Sequence, residues 1–124
     1  MSTLDNFFET STTQDLGNFL TQSTEEQKIQ IQSKIRQRRS QMLVHSYIYY
    51  VLNDNMVSDD KWQQWANELC EIQNKYPQYC TINFFDKHFK DWTGDTGAML
   101  PLKDPYVVHK SMQIYNSWKN SNDE

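Results

Sequence analysis

Apolar residues recur at helical spacing through the middle of the chain. Ile31, Ile35, Met42 and Tyr49 fall on one repeating face, with no Pro or Gly before the Asn53-Asp54-Asn55 turn. Ser23-Thr24-Glu25-Glu26 reads as a capping box at its start: the Ser hydroxyl bonds a backbone N–H three residues on, and Glu26 reaches back. This predicts a long helix near 24–53. Ser58 then caps a second helix, with Asp59 and Asp60 at its positive end. Trp62, Trp65, Leu69, Ile72 and Tyr76 draw one apolar stripe, and Pro77 closes it. The short connection makes the two helices an antiparallel pair.

The pattern weakens on both sides of this pair. Phe84, Phe85, Phe89 and Trp92 suit one short helix within 83–92. Pro105 opens a last helix over 105–119, with Val108, Met112, Tyr115 and Trp118 on one face. Between them lies the glycine-containing loop Trp92-Thr93-Gly94-Asp95-Thr96-Gly97. It has neither the lysine of a phosphate loop nor the third glycine of a dinucleotide fingerprint, so it reads as a turn anchored by Trp92. Residues 1–22, rich in Ser, Thr, Asn and Gln, read as a flexible N-terminal arm. The expected organisation is that arm, a single helical domain over 23–119 and a frayed tail over 120–124. The fold class is mainly α.

Composition narrows the function. A net charge of −4 argues against a general nucleic-acid coat. Even so, Lys28, Lys34, Arg36, Arg38 and Arg39 place five of the 12 cations within one stretch of twelve residues. Lys34, Arg36, Arg38 and Arg39 are thus candidates for contact with nucleic acid or an acidic partner. A solvated helix surface explains the same residues. Cys70 and Cys80 make no metal quartet and fit a reduced, cytoplasmic setting. No secretory segment or membrane-length apolar run occurs, so no membrane association is expected. No Ser/His/Asp, Cys/His or paired-carboxylate set is present, and no catalytic or metal-ligating residue is assigned.

The stretch RQRRSQMLVHSYIYYVLNDNMVSDDKWQQWANELCEIQNKYP, Arg36 to Pro77, resembles the N-terminal Ia domain of NAD-dependent DNA ligases. The family signature reads roughly Y-x-Y-(Y/H)-V-L-D-x-P-x-(I/V)-S-D-x-E-Y-D-x-L-x-x-E-L-x-x-(L/I)-E-x-x-(Y/H)-P. Tyr47, Tyr49, Tyr50, Val51, Leu52, Val57, Ser58, Asp59, Trp62, Glu68, Leu69, Ile72, Tyr76 and Pro77 carry it here. In ligases this domain grips the nicotinamide mononucleotide half of NAD. The resemblance implies that Tyr49, Tyr50 and Asp59 contact such a ligand, with Trp62 in place of the family's Tyr. The aromatic faces suit a flat cationic ring, and a carboxylate suits ribose hydroxyls. His45, one turn before Tyr49, is a further candidate for the same pocket. The family's second Asp is Gln63 here, and its turn Pro is Asn55. A purely structural reading places Tyr49 against Trp62 as a lock between the helices.

The Lys-x-Asp-Gly nucleophile that takes AMP in a ligase is absent, and Lys103-Asp104-Pro105 lacks the spacing and the glycine. No room remains for the other ligase domains. The chain is therefore expected to be no enzyme and to require no cofactor. Its pattern, including Thr93-Gly94…Gly97…Leu100-Pro101, is similar to a family of short phage and prophage proteins termed DNA ligase LigA-related. That resemblance implies a phage-type accessory module, in the host cytoplasm, that engages a host or defence protein. Two alternatives stand beside it: a module binding NAD or nicotinamide mononucleotide, and a nucleic-acid-binding accessory using the basic helix.

Overall fold

The computed structural model describes residues 24–122, so the arm over 1–22 and the Ser23 cap lie outside the described residues. Four α-helices and one 3-10 turn make up the described fold: α1 (Thr24–Tyr50), α2 (Asp59–Lys75), the 3-10 turn Pro77–Tyr79, α3 (Asp86–Phe89) and α4 (Pro105–Asn122). No strand occurs among the described residues. The fold is mainly α, as the periodicity predicts.

α1 and α2 form the expected antiparallel pair. Their contacts run in opposite chain order, from His45 with Trp65 near the turn to Arg39 with Gln73 further away. Ser58 caps α2 as expected: its hydroxyl accepts from the Lys61 N–H at 3.1 Å. The turn before it is tight. Asn53 takes a left-handed φ of 56°, and the Asp54 N–H donates back to the Ile48 carbonyl at 3.1 Å. Asn tolerates that conformation better than most residues, which suits the Asn-Asp-Asn sequence.

α4 packs on another side of α1, which makes α1 the central element. The core consequently draws on several of its faces: Ile31, Ile35, Met42, Leu43, Tyr47 and Ile48 are all buried there. Leu69 and Ile72 from α2, Phe84, Phe89, Leu100 and Val107 complete it. Tyr49, assigned by periodicity to the apolar face, is instead 49% exposed.

Centrality also overturns the exposed basic face expected on α1. Lys34, Arg38 and Arg39 are buried, at 5%, 5% and 1% exposure. Arg39 donates to Gln73 Oε1, the carbonyls of Phe84 and Cys80, and Asp86 Oδ1 at 2.7–3.0 Å. Arg38 pairs with Glu68 at 2.7 Å. Burial, reinforced by the Arg38 charge against a smaller opposing effect of Glu68, lowers the Lys34 ammonium to about 8. Arg36 is exposed, its guanidinium 4.0 Å from the Phe84 ring centre. Arg38 and Arg39 fasten α1 to α2, Lys34 is buried and Arg36 alone is exposed, so the four candidates do not share a solvent face.

Elsewhere the elements differ in length from expectation. The helix expected near 83–92 is confined to Asp86–Phe89, because Asn83 and Phe85 take left-handed φ angles. The last helix runs to Asn122, into the stretch expected to fray. Lys119, in its last turn, reaches Asp54 at 3.7 Å. Asp104 caps its start, accepting from the Tyr106 N–H at 2.8 Å.

Candidate functional site

At the elbow between α1 and α2 lies a cavity of about 260 Å³. Four segments build it. The last turns of α1 contribute His45, Ser46, Tyr49 and Tyr50, which share one side at helical spacing. The turn contributes Asp54, Asn55, Met56 and Val57, and the start of α2 contributes Asp59, Trp62 and Gln63. Asp95 and Thr96 from the glycine loop close the fourth side.

All five residues read from the sequence as nicotinamide-site candidates, His45, Tyr49, Tyr50, Asp59 and Trp62, line this one cavity. Tyr49 and Tyr50 meet edge to face, with ring centres 4.9 Å apart, and both are about half-exposed. The Tyr50 hydroxyl shares a 2.8 Å hydrogen bond with Thr96 Oγ1. Trp62 is half-buried, and its ring meets Trp92 edge-on at 6.0 Å. The Trp92 indole N–H in turn donates to the Thr96 carbonyl at 2.9 Å, so Trp92 anchors the loop as its sequence suggests. Trp92 is thus the ring partner of Trp62 in the place assigned to Tyr49 by the locking reading.

His45 lies 5.3 Å from the Trp65 ring centre. Burial lowers its pKa below the ordinary value of 6.5, so the imidazole is neutral at pH 7. Its Nδ1 and the Ser46 hydroxyl are buried and have no hydrogen-bond partner among the described residues. Gln63 is already engaged. Its amide donates to Asn67 Oδ1 at 3.0 Å and to the Gly94 carbonyl at 3.2 Å.

Five lining residues had no assigned role in the sequence: Ser46, Asp54, Met56, Asp95 and Thr96. The Asn-Asp-Asn turn and the glycine loop were each visible as turns. The glycine loop's spacing did not show that it faces the elbow, because that contact spans more than thirty residues of chain, as in the Gln63–Gly94 bond. Asp54 is positioned from the far end of the chain. Tyr115 donates to its Oδ2 at 2.7 Å, and this bond, with the Asn55 N–H, holds the carboxyl below its ordinary range.

No group of three or more metal-ligating side chains occurs among the described residues. Cys70 and Cys80 are free thiols, and burial raises both pKa values. Both are partly buried, and a raised thiol pKa disfavours the nucleophilic thiolate. No described helix is long and apolar enough to cross a membrane.

Residues 28–83 match the family model described as DNA ligase-like, N-terminal NAD+-binding domain. This segment is ligase Ia-like. The match holds all of α2 and α1 from residue 28 onward, and it ends before the glycine loop. A DNA ligase of Syntrophomonas wolfei is 34% identical over 55 residues, covering 44% of this chain and 8% of that protein. One from Pseudothermotoga lettingae is 37% identical over 51 residues, covering 41% and 8%. One from Ureaplasma parvum is 40% identical over 53 residues, covering 43% and 8%. The chain therefore spans under a tenth of the length of these ligases. No solved structure matches it.

Proposed function

We propose that this chain is a non-catalytic binding module whose elbow cavity takes the nicotinamide nucleotide half of NAD. The observation that carries this reading is the convergence of His45, Tyr49, Tyr50, Asp59 and Trp62 on one cavity, within the segment that matches an NAD+-binding domain. At about 260 Å³, the cavity lies just under the range typical of small-molecule sites. That suits a nicotinamide riboside unit and leaves the adenylate half outside. Tyr49, Tyr50 and Trp62 offer faces to a flat cationic ring. Asp59 accepts from ribose hydroxyls. Without a Lys-x-Asp-Gly nucleophile the bound dinucleotide stays intact.

Calorimetry with nicotinamide mononucleotide and NAD tests this. Saturable binding by the wild type, weakened by Asp59→Ala and by Tyr50→Ala, is the expected result. No saturable heat at millimolar ligand would end the reading.

A second reading, a phage-type accessory that engages a host or defence protein, has one supporting observation. Tyr49, Tyr50 and Val51 are each about half-exposed around the elbow, and Met99 is 86% exposed on the loop that meets Tyr50. Exposed apolar residues gathered at one place are a common mark of protein contact.

A further inference from the structure

The fourth wall of the elbow comes from chain outside the ligase-like segment. The match ends at residue 83, and Asp95 and Thr96 line the cavity from the glycine loop. That loop is fastened to both helices. The Gln63 amide donates to the Gly94 carbonyl at 3.2 Å, a bond that an ionised carboxylate at this place could not make. Cys70 Sγ donates to the Trp92 carbonyl at 3.4 Å. Gly94, at a φ of 83°, packs against Cys70 and Ala66 of α2, and Gly97 packs against Ser46 of α1. Within the loop, Thr96 is held at two atoms. Its carbonyl accepts the Trp92 indole N–H at 2.9 Å, and its Oγ1 accepts from the Ala98 N–H at 3.1 Å. Trp92 is itself seated edge-on against the fully buried Phe89, with ring centres 5.3 Å apart.

Tyr50 meets the end of this chain of contacts. It is the last residue of α1 and about half-exposed, so burial does little to fix its ring. The Tyr49 ring holds it edge to face at 4.9 Å, and its hydroxyl shares the 2.8 Å bond with Thr96 Oγ1. A ring fixed before the ligand arrives loses less freedom on binding than one that must be ordered by it. We propose that the glycine loop is a positioning wall of the elbow site: the Thr96 hydroxyl holds the Tyr50 ring in place to stack on a nicotinamide ring. This rests on the nicotinamide reading above and assigns that site a positioning residue. Thr96 acts through Tyr50, and Gln63 anchors the loop that carries it.

Calorimetry of the full chain with nicotinamide mononucleotide tests this. Thr96→Val and Tyr50→Phe each remove one hydroxyl from an exposed bond and keep the shape of the side chain, so the fold is retained. Each should weaken binding about threefold, the scale set by one side chain that must then be immobilised on binding. Thr96→Ser keeps the hydroxyl and should bind as the wild type does. Tyr50→Phe combined with Thr96→Val should bind no more weakly than either alone, because both remove the same bond. Wild-type affinity in both single variants overturns the positioning role, and so does a loss in Thr96→Ser equal to that in Thr96→Val. A further loss in the double variant also overturns it, since a hydroxyl then meets the ligand itself. Those results leave the nicotinamide site standing. No saturable binding by the wild type at millimolar ligand overturns that reading, and this one with it.

Discussion

Gly97 lies directly against Ser46. A Cβ built on Gly97 would stand 2.0 Å from the Ser46 hydroxyl and 2.7 Å from its Cβ. Only a glycine lets the loop backbone come this close to α1. The contact pins the fourth wall of the elbow cavity to its first. Gly97→Ala should therefore destabilise the fold by roughly 1–3 kcal/mol, the usual cost of overpacking. Thermal denaturation measures it. Adding Ser46→Gly removes both clashing atoms, so the double variant should be more stable than the sum of the singles. Additive losses would mean that the two residues do not touch.

Arg39 makes four hydrogen bonds in the interior. Replacing it with Met leaves Gln73 and the carbonyls of Phe84 and Cys80 without their donor. Breaking a buried pair costs about 3–5 kcal/mol, and the lower end applies because the partner Asp86 retains 30% exposure. Urea denaturation of Arg39→Met should show that loss.

The same pair sets an acid limit. Burial alone would raise the Asp86 carboxyl. Bonds from Arg39 and from the backbone N–H groups of Ile82, Asn83 and Phe84 outweigh it and hold the group below its ordinary range. A folded-state value below the unfolded one stabilises the fold above about pH 4 and loses that stabilisation as pH falls through the folded value. Asp86→Asn should lower stability at neutral pH and flatten the decline below pH 4. Denaturation midpoints across the acid range check this.

Much of this fold is legible in the sequence, and the reasons are local. Ser58, Asp59 and the Trp62–Tyr76 stripe specify α2 through capping and period alone. The elbow residues are legible because a short turn must bring the end of α1 to the start of α2. The fate of the basic stretch is not. Whether Arg38 and Arg39 face water depends on Glu68 and Gln73 of α2 and on the loop at 80–86, which pack there from thirty or more residues along the chain. Spacing alone carries no trace of that. The glycine loop fails in the same way: its turn chemistry is plain, but its docking on Ser46 and Tyr50 is tertiary.

Tyr115 reaches across 61 positions to hold Asp54 at 2.7 Å. Tyr115→Phe removes that donor while keeping the ring. Asp54 should then titrate at higher pH than in the wild type, since its largest stabilising contact is gone. Carboxyl-carbon NMR titration reads the change. An unchanged Asp54 would detach α4 from the elbow.

No AMP adduct should form when the protein is incubated with NAD. The lysine that accepts AMP in ligases has no counterpart in a Lys-x-Asp-Gly setting here. Intact-mass spectrometry decides it, and an adenylated species would contradict the non-catalytic reading.

The central claim is that the elbow holds a nicotinamide ring. Amide chemical-shift mapping with nicotinamide riboside tests it most directly, because the readout is positional. The expected result is saturable shifts at residues 45–63 and 94–97, with the far end of α1 and the 77–89 region unchanged. Saturable shifts centred elsewhere, or none at the elbow at millimolar ligand, would contradict the account.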